Sequence, residues 1–125
     1  MFLSNIDQVL NFSVETVHFF KACADFPAAV VVERLRSAVE RLLVSYDFLA
    51  GRLRFDESKG RKEIDCNAGG VRFVVASSGL ELGELGELEY PNPAFRQLAS
   101  PVEAKGGDRG LEDQPLCAFQ VVIHN

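Results

Sequence analysis

The sequence predicts an α+β fold in which one long helix lies against a mixed, largely antiparallel sheet. A helical apolar periodicity extends from about Ala28 to Tyr46, short alternating segments occupy residues 52–76, and a β-prone apolar run covers 116–123. The 125 residues form at most one ordinary domain, and a hydrophobic content of 47% supplies material for a core. No internal repeat or domain boundary divides the chain, so we treat it as one unit.

The first twenty residues combine a helix start with a strand pattern. Ser4 is suited to cap a first helical turn because its hydroxyl can accept a hydrogen bond from an unpaired amide, and Asp7 is favourably placed against the helix dipole. Residues Ser13–Phe20 are rich in β-branched and aromatic types and carry apolar groups on both alternating faces. We therefore expect a strand there that is buried on two faces.

The helix from about Ala28 to Tyr46 is the clearest element. Its apolar residues recur at three- and four-residue spacing and so line one face, while charged residues fall largely on the other. Pro27 suits the entry to a helix, and Gly51 follows the expected end, where a positive φ is often needed. The residues of the predicted core face are Leu35, Ala38, Val39, Leu42, Leu43 and Tyr46.

Three short strands are expected after the helix. Arg52–Phe55 and Lys62–Cys66 flank a turn at 56–60, and Val71–Ala76 follows a second turn at 67–70. The tight turns predict that these strands pair in chain order as a small antiparallel meander.

The remainder is predicted to be less regular until its last strand. Four leucines between residues 80 and 88 indicate a short amphipathic helix, which Gly83 and Gly86 weaken by about 1 kcal/mol each. Residues 91–114 contain three prolines and several glycines, which predict a long mobile loop. The apolar run Leu116–Ile123 should form the final strand.

Composition and charge argue against several classes of function. The net charge of −5 disfavours nucleic-acid binding, since the basic residues between 52 and 62 alternate with acidic ones and are interpreted as a solvated turn. We expect no signal peptide, and the longest apolar run, Phe26–Val32, is too short to span a bilayer. Three cysteines without a C-x-x-C spacing are typical of reduced thiols that act as small core residues. The sequence therefore predicts a cytoplasmic protein.

No catalytic or metal-binding set is recognisable in the sequence. His18 has no carboxylate spaced to orient it, so we interpret it as a structural histidine, and His124 lies where chain ends fray. Cys66 has no histidine near it and is interpreted as a core thiol, and Glu63 with Asp65 as part of a surface ion cluster. We therefore expect no catalytic residue, no metal site and no bound cofactor, and identify no cofactor-binding residue.

Several segments, in the same order along the chain, resemble one enzyme family. The similarity is to the N-terminal part of the plant CoA-dependent BAHD acyltransferases. Within that family, Tyr46-Asp-Phe-Leu49 most resembles members that transfer hydroxycinnamoyl groups to fatty alcohols or ω-hydroxy acids. The segments are Leu3-Ser-Asn-Ile-Asp7, Val17-His-Phe-Phe20, Leu49-Ala-Gly-Arg52, Ile64-Asp-Cys-Asn67 with Gly70-Val71, and Pro91–Leu98 with Leu116–Val121.

The resemblance implies a two-layer α/β sandwich of the chloramphenicol-acetyltransferase type, of which residues 1–125 are an incomplete N-terminal domain. It also implies an acyl-CoA co-substrate and an alcohol or amine acceptor. The family's catalytic His-x-x-x-Asp motif lies beyond the strand that begins at Leu116, and His18 has Ala22 where the aspartate would stand. We therefore expect the chain to be inactive alone, marginally stable, and prone to self-association through exposed strand edges.

Two alternative functions stay open at this point. The chain could be a non-catalytic interaction fragment that pairs or interferes with a full-length relative, which co-purification would detect. It could also be an unrelated small α+β binding domain, which would be compact and would bind CoA or a hydrophobic ligand.

Overall fold

The computed structural model describes residues 1–10, 12–89, 92–98 and 114–124. Helices and strands both occur throughout these ranges, which confirms the α+β class. None of the helices within them is both long and apolar enough to cross a membrane. The elements are α1 (Asn5–Val9), α2 (Ala28–Ser45), a 3₁₀ turn (Asp47–Ala50), β1 (Arg52–Asp56), β2 (Arg61–Asp65), β3 (Arg72–Ser78), a second 3₁₀ turn (Leu82–Leu85), α3 (Phe95–Leu98) and β4 (Ala118–His124).

Helix α1 starts at a capping box. The Asp7 amide donates to Ser4 Oγ at 3.3 Å, and the Ser4 amide donates to Asp7 Oδ2 at 2.8 Å. These reciprocal bonds satisfy amides that the first turn leaves unpaired. They confirm Ser4 as the N-cap, and the hydrogen bonds from Ser4 hold the pKa of Asp7 below its ordinary value.

The strand expected at Ser13–Phe20 is absent. Residues 12–22 have no regular secondary structure and make no backbone hydrogen bond to the rest of the described chain. Most of their side chains are exposed, and Phe20 is 84% accessible. The prediction was wrong because an alternating apolar pattern forms a strand only where a second strand supplies the ladder.

Helix α2 begins where the sequence predicts and ends one residue earlier. The side carrying Val32 lies toward β3, since Val32 is buried and the Arg36 guanidinium sits 5.0 Å from the Phe73 ring centroid. The neighbouring stripe is open to solvent, with Leu35 43% and Leu42 39% accessible. Of the six residues predicted for the core face, Val39 and Leu43 are half-buried, and the other four are exposed.

Gly51 is required for space rather than for a positive φ. Its φ is −81° and its ψ −168°, which is extended backbone. A Cβ at this position would lie 2.5 Å from the Asp65 carbonyl oxygen and 2.8 Å from Ile64 Cγ2. The expected left-handed conformation is thus wrong, and the glycine allows the helix exit to approach β2.

The strands among the described residues form two separate two-stranded sheets. β1 and β2 form the predicted antiparallel hairpin, with Leu53 opposite Ile64. β3 pairs in parallel with β4, from Arg72 opposite Ala118 to Ser78 opposite His124. The predicted three-stranded meander is therefore wrong, because β3 takes a partner about forty residues away instead of the adjacent β2.

The core of the described residues is small. Only Val32, Ile64 and Leu85 are buried apolar side chains there. Leu85 belongs to the second 3₁₀ turn, which replaces the predicted amphipathic helix at 80–88, and Gly86 leaves that turn at a φ of +75°. Helix α3 lies inside the predicted loop 91–114, of which residues 91 and 99–113 lie outside the described ranges.

Candidate functional site

Arg52 joins two of the segments on which the family resemblance rests. Its Nη1 donates to the carbonyl oxygens of Gly51 at 2.8 Å and Gly70 at 2.7 Å, and its Nη2 to that of Gly69 at 2.7 Å. A longer bond of 3.5 Å reaches the Ala50 oxygen, which also accepts the Gly70 amide at 2.9 Å. We call this group, residues 50–52 with 69 and 70, the arginine clamp.

The turn at residues 67–70 has the geometry that the clamp needs. Asn67 Oδ1 accepts the Gly69 amide at 3.0 Å, and both Ala68 and Gly70 have positive φ, at 54° and 80°. A Cβ on Gly69 would lie 2.9 Å from the Arg52 Cζ. The absence of a side chain at Gly69 therefore lets the guanidinium reach the turn's carbonyls.

The clamp is structural, not an anion site. Both Nη atoms of Arg52 already donate to carbonyl oxygens, so its planar fork is occupied by the fold. Our assignment of the basic residues between 52 and 62 to a solvated turn is wrong except for Lys59, because the other four lie on β1 and β2. The sequence indicates the clamp only through its glycines, Gly51 directly before Arg52 and the pair Gly69-Gly70.

The hairpin also carries an exposed ion cluster. Arg54 donates to Glu63 Oε1 from Nε at 2.8 Å and from Nη2 at 2.5 Å, and Lys59 Nζ lies 2.6 Å from Asp56 and 3.5 Å from Glu63. The Arg54 hydrogen bond lowers the pKa of Glu63, and the Asp56 bond raises the pKa of Lys59. The ion cluster is confirmed for Glu63, but its partners are Arg54 and Lys59, and Asp65 joins no ion pair in the described ranges.

A surface depression of about 640 Å³ lies beside this cluster. It is lined by β1 and the turn after it, together with Asp65 and Asn67. Neither a histidine nor a cysteine lines it. The Ser58 hydroxyl does, and it donates to Asp56 Oδ1 at 2.6 Å. The hydrogen bonds from Lys59 and Ser58 hold the pKa of Asp56 below its ordinary value, which makes that carboxylate a weak base.

The two histidines lie in different surroundings. His18 is exposed on the irregular segment 12–22 and makes no hydrogen bond to a described residue, so its interpretation as a structural histidine is wrong. His124 is the last residue of β4, and its Nδ1 lies 2.7 Å from the Leu80 carbonyl oxygen. His124 is therefore held in place, contrary to the expected fraying, yet no described carboxylate orients either ring as a general base.

The cysteines are unpaired and differ in exposure. Cys23 and Cys66 are exposed, so the core role expected for them is wrong, whereas Cys117 is half-buried. Burial raises the pKa of the Cys117 thiol, which disfavours a reactive thiolate. No cluster of three or more potential metal ligands occurs among the described residues.

Comparison with known proteins identifies the class as acyltransferase. The family model described as "Transferase family" matches residues 1–123. The chain is 53% identical to acyltransferase GLAUCE of Arabidopsis thaliana over 97% of the chain and 26% of that protein. It is 36% identical to benzyl alcohol O-benzoyltransferase of Petunia hybrida over 96% of the chain and 26% of that protein. It is 40% identical to hydroxycinnamoyltransferase of Narcissus pseudonarcissus over 94% of the chain and 26% of that protein.

The chain belongs to this transferase family, the plant BAHD acyltransferases, as the motifs predicted. It spans about a quarter of the length of the curated relatives that it matches. Within that quarter, the arginine clamp joins two of the family-like segments. It links Leu49-Ala-Gly-Arg52, which follows α2, to the turn that ends at Gly70.

Proposed function

We propose that this chain is the N-terminal part of an enzyme that transfers an acyl group from CoA to an alcohol or amine acceptor. The observation that carries the proposal is the match over 97% of the chain to an acyltransferase at 53% identity. In such a transfer the acceptor heteroatom attacks the thioester carbonyl, the C–S bond breaks, and the proton lost by the acceptor passes through a base to the CoA thiolate.

This chain supplies scaffold rather than the base. No His-x-x-x-Asp sequence occurs within residues 1–125, and the described histidines have no orienting carboxylate. The clamp and the β1–β2 hairpin fix the exit of α2, which is a positioning task. We therefore propose that the 125-residue chain has no acyltransferase activity by itself.

The acyl group and the compartment are further proposals. A hydroxycinnamoyl donor with a fatty alcohol or ω-hydroxy acid acceptor is suggested by Tyr46-Asp-Phe-Leu49 and by 35% identity to omega-hydroxypalmitate O-feruloyl transferase of Arabidopsis thaliana. A cytosolic location is supported by the three unpaired cysteines, since a reducing compartment keeps thiols free.

A chimera tests the proposed function. Residues 1–123 would replace the matching quarter of the 53% identical relative, and free CoA thiol would be measured with feruloyl-CoA, benzoyl-CoA and acetyl-CoA against a panel of alcohols and amines. We expect turnover by the chimera and none by the 125-residue chain. The matched control is the relative carrying its own N-terminal quarter. An inactive but folded chimera beside an active control would refute the proposal, as would turnover by the chain alone.

A second candidate function is a non-catalytic one, in which the chain binds a full-length relative. It is favoured by the open apolar stripe of α2, with Leu35 and Leu42 exposed, and by the exposed side chains of Phe12 and Phe20. Co-expression with a tagged relative would test it. Recovery of the chain with the tagged relative would support this role if the double variant Leu35→Glu with Leu42→Glu abolishes it and the control Glu33→Gln does not. Absence of recovery would exclude the role.

A further inference from the structure

The outer edge of β2 is covered by residues 1–10, which we call the arm. β2 pairs with β1 along its other edge, so the backbone groups of Lys62 and Ile64 point toward the arm. The Gln8 side-chain amide satisfies both groups of Lys62, since Nε2 donates to its oxygen at 2.7 Å and Oε1 accepts its amide at 2.8 Å. The Ile64 amide donates to the Met1 oxygen at 3.0 Å, and the Met1 nitrogen donates to the Ile64 oxygen.

The arm is held by this edge and not by a core. The Arg61 guanidinium lies 4.0 Å from the Phe2 ring centroid and donates to the Leu3 oxygen at 2.5 Å. None of the residues of α1 is buried, and Ile6 and Val9 are 69% and 81% accessible. Little apolar surface therefore opposes release of the arm, whereas release would leave four backbone groups of β2 unpaired.

We propose that the arm is a releasable cover for the edge of β2, and that a second copy of this chain is the alternative occupant. Two β2 strands related by a two-fold axis through Glu63 would place Lys62 opposite Ile64 of the second copy. All four exposed backbone groups of each strand then find partners. The same register places Arg61 opposite Asp65 twice, so the charges on the paired strands are complementary.

The remaining like-charge contact in that register is already compensated within each copy. Glu63 would face its own counterpart, but each Glu63 is bound by Arg54 at 2.5 Å and lies 3.5 Å from Lys59. The arm and the second copy thus compete for the same four backbone groups. The arm is favoured in dilute protein, because a tethered segment has a high effective concentration.

The variant Gln8→Ala tests the proposal. It removes two of the four edge bonds and leaves the core unchanged. With trimethylamine N-oxide added to keep the chain folded, we expect the Lys62 amide in dilute protein to exchange with solvent about tenfold faster than in the unaltered chain. In concentrated protein we expect sedimentation velocity to show a dimer, in which the Lys62 amide is protected again. Asn5→Ala is the matched control, because Asn5 is exposed on the same helix and bonds no β2 atom.

A charge reversal then tests the register. Adding Asp65→Lys to Gln8→Ala would place two positive charges opposite each other, the new lysine of one copy and Arg61 of the second copy. We therefore expect at least a roughly tenfold weaker dimer at low salt. A dimer of unchanged strength would overturn the two-fold pairing that we propose.

Three further outcomes would overturn the role of the arm. In the first, Gln8→Ala stays monomeric and its Lys62 amide exchanges at the unaltered rate. In the second, Asn5→Ala associates as strongly as Gln8→Ala. In the third, Gln8→Ala also loses the amide protection of Val74 and Ala76 in β3. The last result would mean that the arm is part of the folding unit and not a cover over it.

Discussion

Replacing Arg52 by alanine removes the arginine clamp, and its cost follows from the geometry. Three of its hydrogen bonds are 2.7–2.8 Å long, to the carbonyls of Gly51, Gly69 and Gly70. Water can reach the Gly69 carbonyl region, which is exposed, so we take the modest value of about 1 kcal/mol for each bond. The free energy of unfolding should therefore fall by about 3 kcal/mol.

This fall in the free energy of unfolding is comparable with the whole stability of a chain with so small a core. The assay must therefore also work for a chain that is largely unfolded in buffer. Far-UV circular dichroism would follow refolding as trimethylamine N-oxide is added, because this osmolyte favours the compact state. Arg52→Ala should need more osmolyte than the unaltered chain. Arg54→Ala is the matched control two residues along β1, because Arg54 forms an exposed ion pair and should change the midpoint far less.

Two outcomes would refute this reasoning. Equal effects of Arg52→Ala and Arg54→Ala would show that the carbonyl bonds contribute nothing beyond a surface charge. Full stability of Arg52→Lys would show that the planar fork is not needed, since a lysine ammonium cannot reach the carbonyls on both sides together.

The remaining predictions concern close approach, burial and pH. Gly51→Ala should destabilise the chain by more than about 1 kcal/mol, as measured in the same refolding assay, whereas Gly79→Ala, with no atom within 4 Å of its Cβ, should not. Cys66 should react with a thiol reagent before Cys117, whose pKa is raised by burial, and the reverse order would contradict that. The pKa of Asp7 is lowered on folding from its ordinary value of 3.8. The ionised Asp7 therefore stabilises the folded chain fully above pH 3.8, and this stabilisation is lost as the pH falls through the lower pKa of the folded state. The melting temperature should therefore drop less steeply with acid in Asp7→Asn, and an unchanged slope would show that the titration of Asp7 adds nothing to the acid dependence.

The features that the sequence predicted well are set by neighbouring residues. The N-cap needs only Ser4 and the amide of Asp7, three positions further on, and α2 follows from its own periodicity after Pro27. The β1–β2 hairpin likewise follows from two alternating strands around a short turn. In each case the stabilising partner lies within a few residues, so a local pattern contains enough information.

The features that it missed depend on distant partners. The parallel pairing of β3 with β4 joins Arg72 to Ala118, and the pattern of each strand is compatible with either direction. The arginine clamp depends on Arg52 meeting carbonyls of Gly69 and Gly70, to which side-chain type gives no guide. Only the need for glycine where two backbone segments approach could have indicated it.

The one wrong strand explains the open faces of the structure. Ser13–Phe20 carries apolar groups on both alternating faces, a pattern that suits a strand inside a sheet covered on two sides. The apolar residues of α2 likewise span two adjacent stripes, of which the side at Val32 is covered and the side at Leu35 and Leu42 is open. The sequence therefore specifies more burial than the described residues provide. Its relatives, of which it spans 26%, have residues enough to supply those contacts, and for this reason the chimera and not the chain alone is the decisive test of function.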